Sequence, residues 1–393
     1  MKISKAKWFN DADSPVVLMI DDLNNLWFDL KKNGLPSRGE DWGYWKDLPG
    51  SSFLFLKENL LDKLPTIKVT FFTVVGNPVF DEHKYGDIYK GAINDDAGAA
   101  DFFAGIHSNP NLEVAYHGFT HGVIRNGKYI HEWLSFNSVE EALHNLRQGQ
   151  YTCEQVFGEK LIGGKYPGYA SNIYSNESID KSGFLWWCRD WNHQKFLDSE
   201  NDYSALEIRQ FGENGVIDLP GTVNPSIFST NYIKKIAKLI LKNPYKVLEG
   251  YLDELLRKKI IISVQEHMGA FKGNDKRQTP NIFDDLTVLK FIFSLLEKKN
   301  IWYATCSDIA NYYAALIGTQ LQEVHEGLIV KYSGRIKKPW LTLLINGKGT
   351  WEFKSPSGSI YSSFKHHQKL DFSLVNIEVE DGLYFIKKNK HTP

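Results

Sequence analysis

The sequence predicts an α/β fold of parallel βα units followed by a small antiparallel β domain. Three observations carry this. Short apolar runs rich in Val, Ile, Phe and Tyr recur up to about Gly318, several of them are separated by helical apolar spacing, and beyond that point helical spacing gives way to short strands between turn signals. The 393 residues are enough for one large domain, residues 1–318, and a smaller one, residues 319–393, and a hydrophobic content of 42% can fill both cores.

The first strand is VVLMI from Val16, followed in order by IKVTFFTVVG from Ile67, LEVAYH from Leu112, GVIDLPG from Gly215, KIIISVQEH from Lys259 and IWYAT from Ile301. Their length and lack of alternation suit strands buried on both faces, in an open sheet or a barrel. A helix is predicted over SVEEALHNLRQGQYTCEQVFG, where Ser138 and Glu141 fit a capping box and Val139, Leu143, Leu146, Cys153 and Val156 follow helical spacing. DDLTVLKFIFSLLEKKN is a second helix. It runs into IWYAT and then into SDIANYYAALIG, for which Ser307 is the expected N-cap. In the β domain the strands are GLIVKY, PWLTLLINGKGTWEF, DFSLVNIEV and GLYFIKK, with turns at NGKG, SPSGS and EDG, and the abundant lysines read most simply as a solvated face, with an anionic-glycan contact as the alternative.

Composition narrows the function classes. A formal net charge of -1 provides no bulk field to draw in nucleic acid or an anionic membrane surface. Cys153, Cys188 and Cys306 lack CxxC spacing and read as reduced thiols, with Cys188 a packed one. MKISKAKWFNDADSPVVLMI does not fit a signal peptide, because Asp11 and Asp13 interrupt the approach to its apolar run, and no stretch is long enough to insert in a membrane, so a cytoplasmic location is expected. Eleven tryptophans among 14% aromatics hint at carbohydrate, although any single Trp more often fills a core.

In parallel βα folds the chemistry sits at the C-terminal strand ends, and there the chain places Asp21 and Asp22 after VVLMI, His117 after LEVAY and His267 in VQEH. His117 and His121 are spaced i, i+4, which on a helical turn aims both rings at one point. Catalytic zinc commonly takes three protein ligands, so the two imidazoles and one carboxylate would complete a set and leave the other Asp free as a base. The bland alternative is that Asp21 and Asp22 form a polar strand end capping a helix after it. Asn24 and Asn25 read either as caps or as substrate-facing groups. His83, His107, His131, His144, His193, His325, His366, His367 and His391 fall outside this pattern and read as surface or hydrogen-bonded residues.

IDDL, HGFTH and VQEH, in this order and at strand ends, resemble the motifs of the polysaccharide deacetylases, the NodB-homology or carbohydrate esterase family 4 group. VTFFTVVG also resembles their second strand, and the likeness runs from about Val16 to Gly318. It implies a distorted (β/α)7 barrel of the NodB type. Asp21 would be the general base and Asp22, with His117 and His121, the ligands of a divalent metal, zinc above others. In GGKYPGY, Lys165 stands where the family has an Arg bracing the base, Pro167 matches the motif's Pro, Gly168 offers a backbone N–H to the oxyanion and Tyr169 lines the substrate site. In WCRDW, Asp190 would support the network and Trp191 form a pocket wall, and His267 would be the acid.

Three departures mark a divergent branch: Gly118 replaces a Ser or Thr, Leu23 replaces a Gly and is expected to reshape the pocket floor, and Lys165 replaces Arg, keeping the charge without the planar fork. The implied activity is metal-dependent removal of an N-acetyl group from a sugar of a surface glycan or its precursor, with O-antigen (lipopolysaccharide) or capsule biosynthesis as a setting. The partner is then an N-acetylated sugar or glycan, with oligomerisation left open. Two alternatives stand beside it: a glycan-binding protein on a catalytically degenerate scaffold, and hydrolysis of another amide.

Overall fold

The computed structural model describes residues 2–29, 32–35, 43, 48–79, 88–189, 203–228, 243–269, 271–272, 276–347, 349–366, 368–369 and 371–389. The strands of its main sheet are numbered in chain order: β1 (Ser14–Asp21), β2 (Val69–Thr73), β3 (Leu112–Tyr116), β4 (Gly163–Lys165), β5 (Trp186–Arg189), β6 (Arg209–Phe211), β7 (Val216–Pro220), β8 (Ile262–His267) and β9 (Ile301–Tyr303). Across the sheet they run β6-β7-β5-β4-β3-β2-β1-β8, with β9 pairing the start of β1. All pairings are parallel except β6 with β7.

β1 is buried at every position, as its unbroken apolar run requires in a strand covered on both faces. Beyond β7 the chain turns back toward the other end of the sheet. Val223 bridges Val264 of β8, donating to the Ser263 carbonyl at 3.0 Å and accepting from the Gln265 N–H at 2.9 Å. The sheet is therefore curled, with Asp21, His117 and His267 all at the same end.

β4 and β5 have no counterpart among the strands expected from sequence. GGK contains two glycines, which carry no side chains, and only Lys165 is left from which a pattern could be read. Its glycines are there because a Cβ on Gly163 would fall inside the Trp186 indole and one on Gly164 would meet the Tyr116 carbonyl. Between strands, the helix predicted from Ser138 spans Val139–Phe157 and stops at Gly158 with φ 75°. Only half of its capping box forms. The Ser138 hydroxyl accepts from the Glu141 N–H at 3.1 Å, but the Glu141 carboxylate reaches the N–H of Asn137 at 2.8 Å rather than that of Ser138.

The helix Cys306–Gly318 begins at Thr305, not at Ser307. Thr305 Oγ1 accepts from the Asp308 N–H at 3.1 Å, and Asp308 Oδ2 accepts from the Thr305 N–H at 3.0 Å. Asp at the third helical position makes Thr305 the favoured cap. Ser307 instead accepts a hydrogen bond from the Trp186 indole at 2.9 Å.

After Gly318 the chain forms two antiparallel sheets. One runs Thr319–Val324, Gly327–Tyr332, Gly382–Lys388, Trp351–Lys354 and Ile360–Ser362; the other contains Trp340–Asn346, Phe372–Glu378 and Phe364–Lys365. The second sheet takes its edge strand from the start of the chain, with Lys2–Lys5 pairing Trp340–Asn346. All three cysteines are free and buried, and Cys188 packs its sulfur 3.7 Å from that of Met19. Among the described residues, no helix is long and apolar enough to cross a membrane.

Buried Asp11 ties these parts together by accepting from Lys259 at 2.9 Å, Lys369 at 2.5 Å and His366 at 3.0 Å. His366 is thus a structural hydrogen-bonding residue, whereas His367 lies outside the described residues. Burial alone would raise the Asp11 carboxyl, but Lys369, Lys259 and His366 outweigh it and hold the group at about 2. A depressed acid contributes stability above its ordinary value of 3.8 that is lost as pH falls through the folded value of about 2. Acid titration of the melting temperature is therefore expected to show a loss in that window that Asp11→Asn shows less of. An unchanged slope in the variant would exclude Asp11 as its source.

Candidate active site

Adjacent residues on a strand point to opposite faces, so two carboxylates in a row cannot share a site while the strand continues. β1 ends at Asp21, and Asp22 adopts φ 69°, a left-handed turn that Asp tolerates better than bulky residues do. The turn brings both carboxylates into one neighbourhood. The Asp22 N–H donates to the Phe72 carbonyl at 3.0 Å, which anchors the turn on β2. Asn24 and Asn25 hold its far side: the Asn24 side chain accepts from the Val74 N–H at 3.0 Å, and the Asn25 amide donates to the Ala92 carbonyl at 3.1 Å. Both are buried and neither caps a helix. Leu23 is fully buried and packs within the hydrophobic core.

His117 and His121 do converge, though not on a helical turn. The segment is a loop in which Gly118 has φ 96° and His121 φ 66°. What shapes it is Glu132, a buried residue that no sequence motif singles out. Its carboxylate accepts from the N–H groups of Phe119 at 3.0 Å and Thr120 at 2.8 Å, while its own N–H donates to the His121 carbonyl at 3.1 Å. A Cβ at position 118 would run into the Glu132 carboxylate, which accounts for glycine there. Burial lifts the Glu132 carboxyl to about 7 despite these hydrogen bonds. The departure at Gly118 was the sequence signal that another group fills this space.

Each imidazole is oriented from behind. His117 Nδ1 lies 3.1 Å from the Lys165 carbonyl, which fixes a proton on Nδ1 and turns the Nε2 lone pair inward. His121 Nδ1 lies 2.6 Å from the Tyr129 hydroxyl, which is also 3.2 Å from the His121 carbonyl, so the ring is held from behind with Nε2 turned inward. The two Nε2 atoms then face Asp22 Oδ1 at 3.8 and 3.6 Å. Burial, partly opposed by Asp21 and reinforced by Lys165, lowers His117 to about 4, so it is neutral and able to ligate at neutral pH.

Asp22, His117 and His121 offer three ligand atoms within 4.8 Å of one another, all buried. Two ligands at roughly 2.1 Å on a tetrahedral ion stand about 3.4 Å apart, so the 3.8 and 3.6 Å separations of Asp22 Oδ1 from the two Nε2 atoms need only slight contraction around a cation. The donor set of two neutral imidazoles and one carboxylate fits a zinc-like divalent ion.

Asp21 sits beside this set with different partners. Its Oδ1 is in contact with Lys165 Nζ, and its Oδ2 lies 3.5 Å from His267 Nε2 and 3.9 Å from His117 Nε2. β8 delivers His267 directly opposite Asp21 in register. His267 Nδ1 lies 3.0 Å from the Pro280 carbonyl, leaving Nε2 to face Asp21. Lys165 is fully buried between the rings of Phe72 and Tyr169, 4.3 and 4.8 Å from their centroids, and donates to Gln265 at 2.6 Å. Tyr169 also donates to Gln265 at 3.0 Å. Burial pushes the Asp21 carboxyl up, but Lys165 first, then His117 and His267, outweigh it and hold it below its ordinary range.

Gln265 was legible in hindsight, since two residues before His267 on a strand is the same face. His131, grouped in the sequence with surface histidines, belongs here too. The hairpin Gly122–Arg125 with Lys128–His131 folds back so that His131 packs against Gly168, where a Cβ would clash with it, and His131 Nδ1 lies 3.3 Å from the Tyr129 hydroxyl. Gly168 has φ 57° and is exposed at the rim beside Tyr169, following the buried Pro167. Asp190 and Trp191 lie outside the described residues.

No protein-family model matches the chain, and no curated protein sequence matches it. Solved structures do match. A chain described as a polysaccharide deacetylase from Mycobacterium smegmatis is 15% identical with a TM-score of 0.47, covering 79% of this chain and 94% of that one. Puue allantoinase is 13% identical with a TM-score of 0.47, over 79% of this chain and 94% of its own. A CE4 family pseudoenzyme from Bacillus anthracis is 11% identical with a TM-score of 0.35, over 76% of this chain and 65% of its own.

Proposed function

We propose that the protein is a metal-dependent hydrolase that removes the N-acetyl group from a sugar of a surface glycan or its precursor, on a (β/α)7-type scaffold comprising residues 1–318. The observation that carries this reading is the separation of roles between two adjacent carboxylates. Asp22 faces two imidazole lone pairs, whereas Asp21 faces Lys165 and His267. A pure binding site has no use for a carboxylate held ionised beside a ligand set.

Asp22, His117 and His121 would hold the ion, zinc in the first instance, which when bound supplies a Lewis acid and lowers the pKa of a coordinated water. Asp21, kept ionised by Lys165, would take a proton from the attacking water at its Oδ2, the oxygen that is not in contact with Lys165. The Gly168 N–H, at the exposed rim, would stabilise the tetrahedral oxyanion. His267, fixed through Pro280 with Nε2 toward the site, would protonate the departing amine. Tyr169 would line the sugar site while its hydroxyl holds Gln265 against Lys165. Asp190 and Trp191 complete the assignment from the sequence motif.

The test is metal analysis of the purified protein together with acetate release from a panel of N-acetylated sugars, nucleotide sugars and oligosaccharides. One equivalent of bound metal, absent from His117→Ala, and metal-dependent acetate release are expected. A metal-free protein that stays metal-free in excess zinc would refute the reading.

A further inference from the structure

At the opposite end of the curled sheet, the structure has a second cavity of about 740 Å³, within the range of ligand sites. β9 meets the start of β1 there, with Trp302 paired to Pro15. Asp21 lies six residue steps along β1 from Pro15, which at about 3.3 Å per step puts the cavity on the order of 20 Å from the metal-ligand set. It does not belong to the candidate active site.

The floor is aromatic. Trp302 packs on Phe9 and Tyr312 with ring centroids 5.6 and 5.5 Å away, and Tyr312 is anchored through its hydroxyl to the Ala6 carbonyl at 3.0 Å. Trp340 also lines the cavity, and it is 48% exposed although it begins an ordered strand and meets Tyr361 edge-on at 6.1 Å. An indole left half in water in a cavity lined by three further rings offers a flat apolar surface on which a pyranose ring stacks.

The charge of the lining sets the class of sugar. Its one acid, Asp308, is taken up by Lys68 at 2.8 Å. Lys337 and Lys338 are exposed beside Trp340, and no described carboxylate forms an ion pair with either. The cavity therefore carries an excess of positive charge. Two neighbouring point charges on an exposed rim suit carboxylates spaced along a polymer better than a single polyphosphate, which favours a cradle of backbone N–H groups.

We propose that this cavity is a binding site for an acidic glycan, with uronate-type carboxylates on Lys337 and Lys338 and a sugar ring stacked on Trp340. Such a site would act as a tether that raises the local concentration of a polymer at the protein without entering its chemistry. Binding there is independent of the metal-ligand residues.

The experiment is isothermal titration of the full chain, and of His117→Ala, with an oligogalacturonate, a neutral oligosaccharide of the same length and UDP. Binding of the oligogalacturonate to both proteins is expected, weakened by added salt. Trp340→Ala should weaken it about tenfold or more, as loss of an aromatic stacking contact implies, and Lys337→Ala/Lys338→Ala should remove most of the salt dependence. All three positions are exposed, so unchanged melting curves are expected to accompany these losses. The proposal is overturned if the oligogalacturonate does not bind, if the neutral sugar or UDP binds as tightly, or if the variants bind like the parent protein. Loss of binding in His117→Ala alone would also overturn it by moving the contact to the other end of the sheet. Failure of acetate release leaves these readouts untouched, so the two readings fail separately.

Discussion

Asp21→Asn is expected to retain its metal while turnover falls about 10²–10⁴-fold, the usual contribution of a positioned general base. The amide keeps the shape of the carboxylate but cannot take a proton at neutral pH. The ligand set does not depend on it, because the two Nε2 atoms face Asp22 Oδ1 from 3.6 and 3.8 Å and each ring is fixed from behind by Lys165 or Tyr129. Asp22→Asn is the contrasting variant. It removes the anionic ligand, so metal content and activity should fall together. Metal analysis and acetate release on the same preparations make the comparison. Asp21→Asn with more than a tenth of the parent turnover, or without its metal, would show that the two carboxylates do not divide their roles in this way.

Lys165→Met should produce the larger change in stability. Lys165 and Asp21 are both buried, so deleting the cation leaves a carboxylate without its main compensating charge, and breaking one half of a buried pair typically costs about 3–5 kcal/mol. Methionine has a similar volume, so the cost arises from charge rather than from a cavity. Urea unfolding of metal-free protein is the measurement, and a difference below about 1 kcal/mol would mean that Asp21 is compensated elsewhere.

The same variant tests the acid side of the pH profile. Lys165 is the largest influence opposing the burial that raises Asp21. With it gone, the carboxyl moves up and the base becomes protonated at higher pH. The acid limb of the rate profile should therefore shift toward neutrality in Lys165→Met. A limb that stays in place would assign it to another group.

The sequence by itself determined the parts of this protein that depend on local chemistry. Short apolar runs located β1, β2, β3, β7, β8 and β9, most plainly β1 and β2, which are buried at every position and leave no alternation to mislead. Of the turn signals, SPSGS closes the hairpin of Trp351–Lys354 with Ile360–Ser362, whereas NGKG and EDG lie where the chain passes from one sheet to the other, and the order of IDDL, HGFTH and VQEH singled out the residues that meet at one end of the main sheet. Lys165 was legible there as the cation for Asp21, and the two are in contact.

Tertiary structure decided what depends on partners distant in the chain. Gly163–Lys165 becomes a strand where Trp186 and Tyr116 press on two glycines that offer no apolar pattern to read. His117 and His121 converge through left-handed residues, and the loop is held by Glu132, which has no motif because its contacts are to backbone N–H groups that every residue carries. The N-terminal strand joins a sheet made more than three hundred residues later, a pairing set by Leu343 and Ile345 opposite Lys5 and Ile3 rather than by any local preference. The cavity at the other end of the sheet exists only because Phe9, Trp302 and Trp340, remote in sequence, come together in its lining. Local patterns fix which residues form strands and carry charge; convergence on a common point is a property of packing, and only the folded chain supplies it.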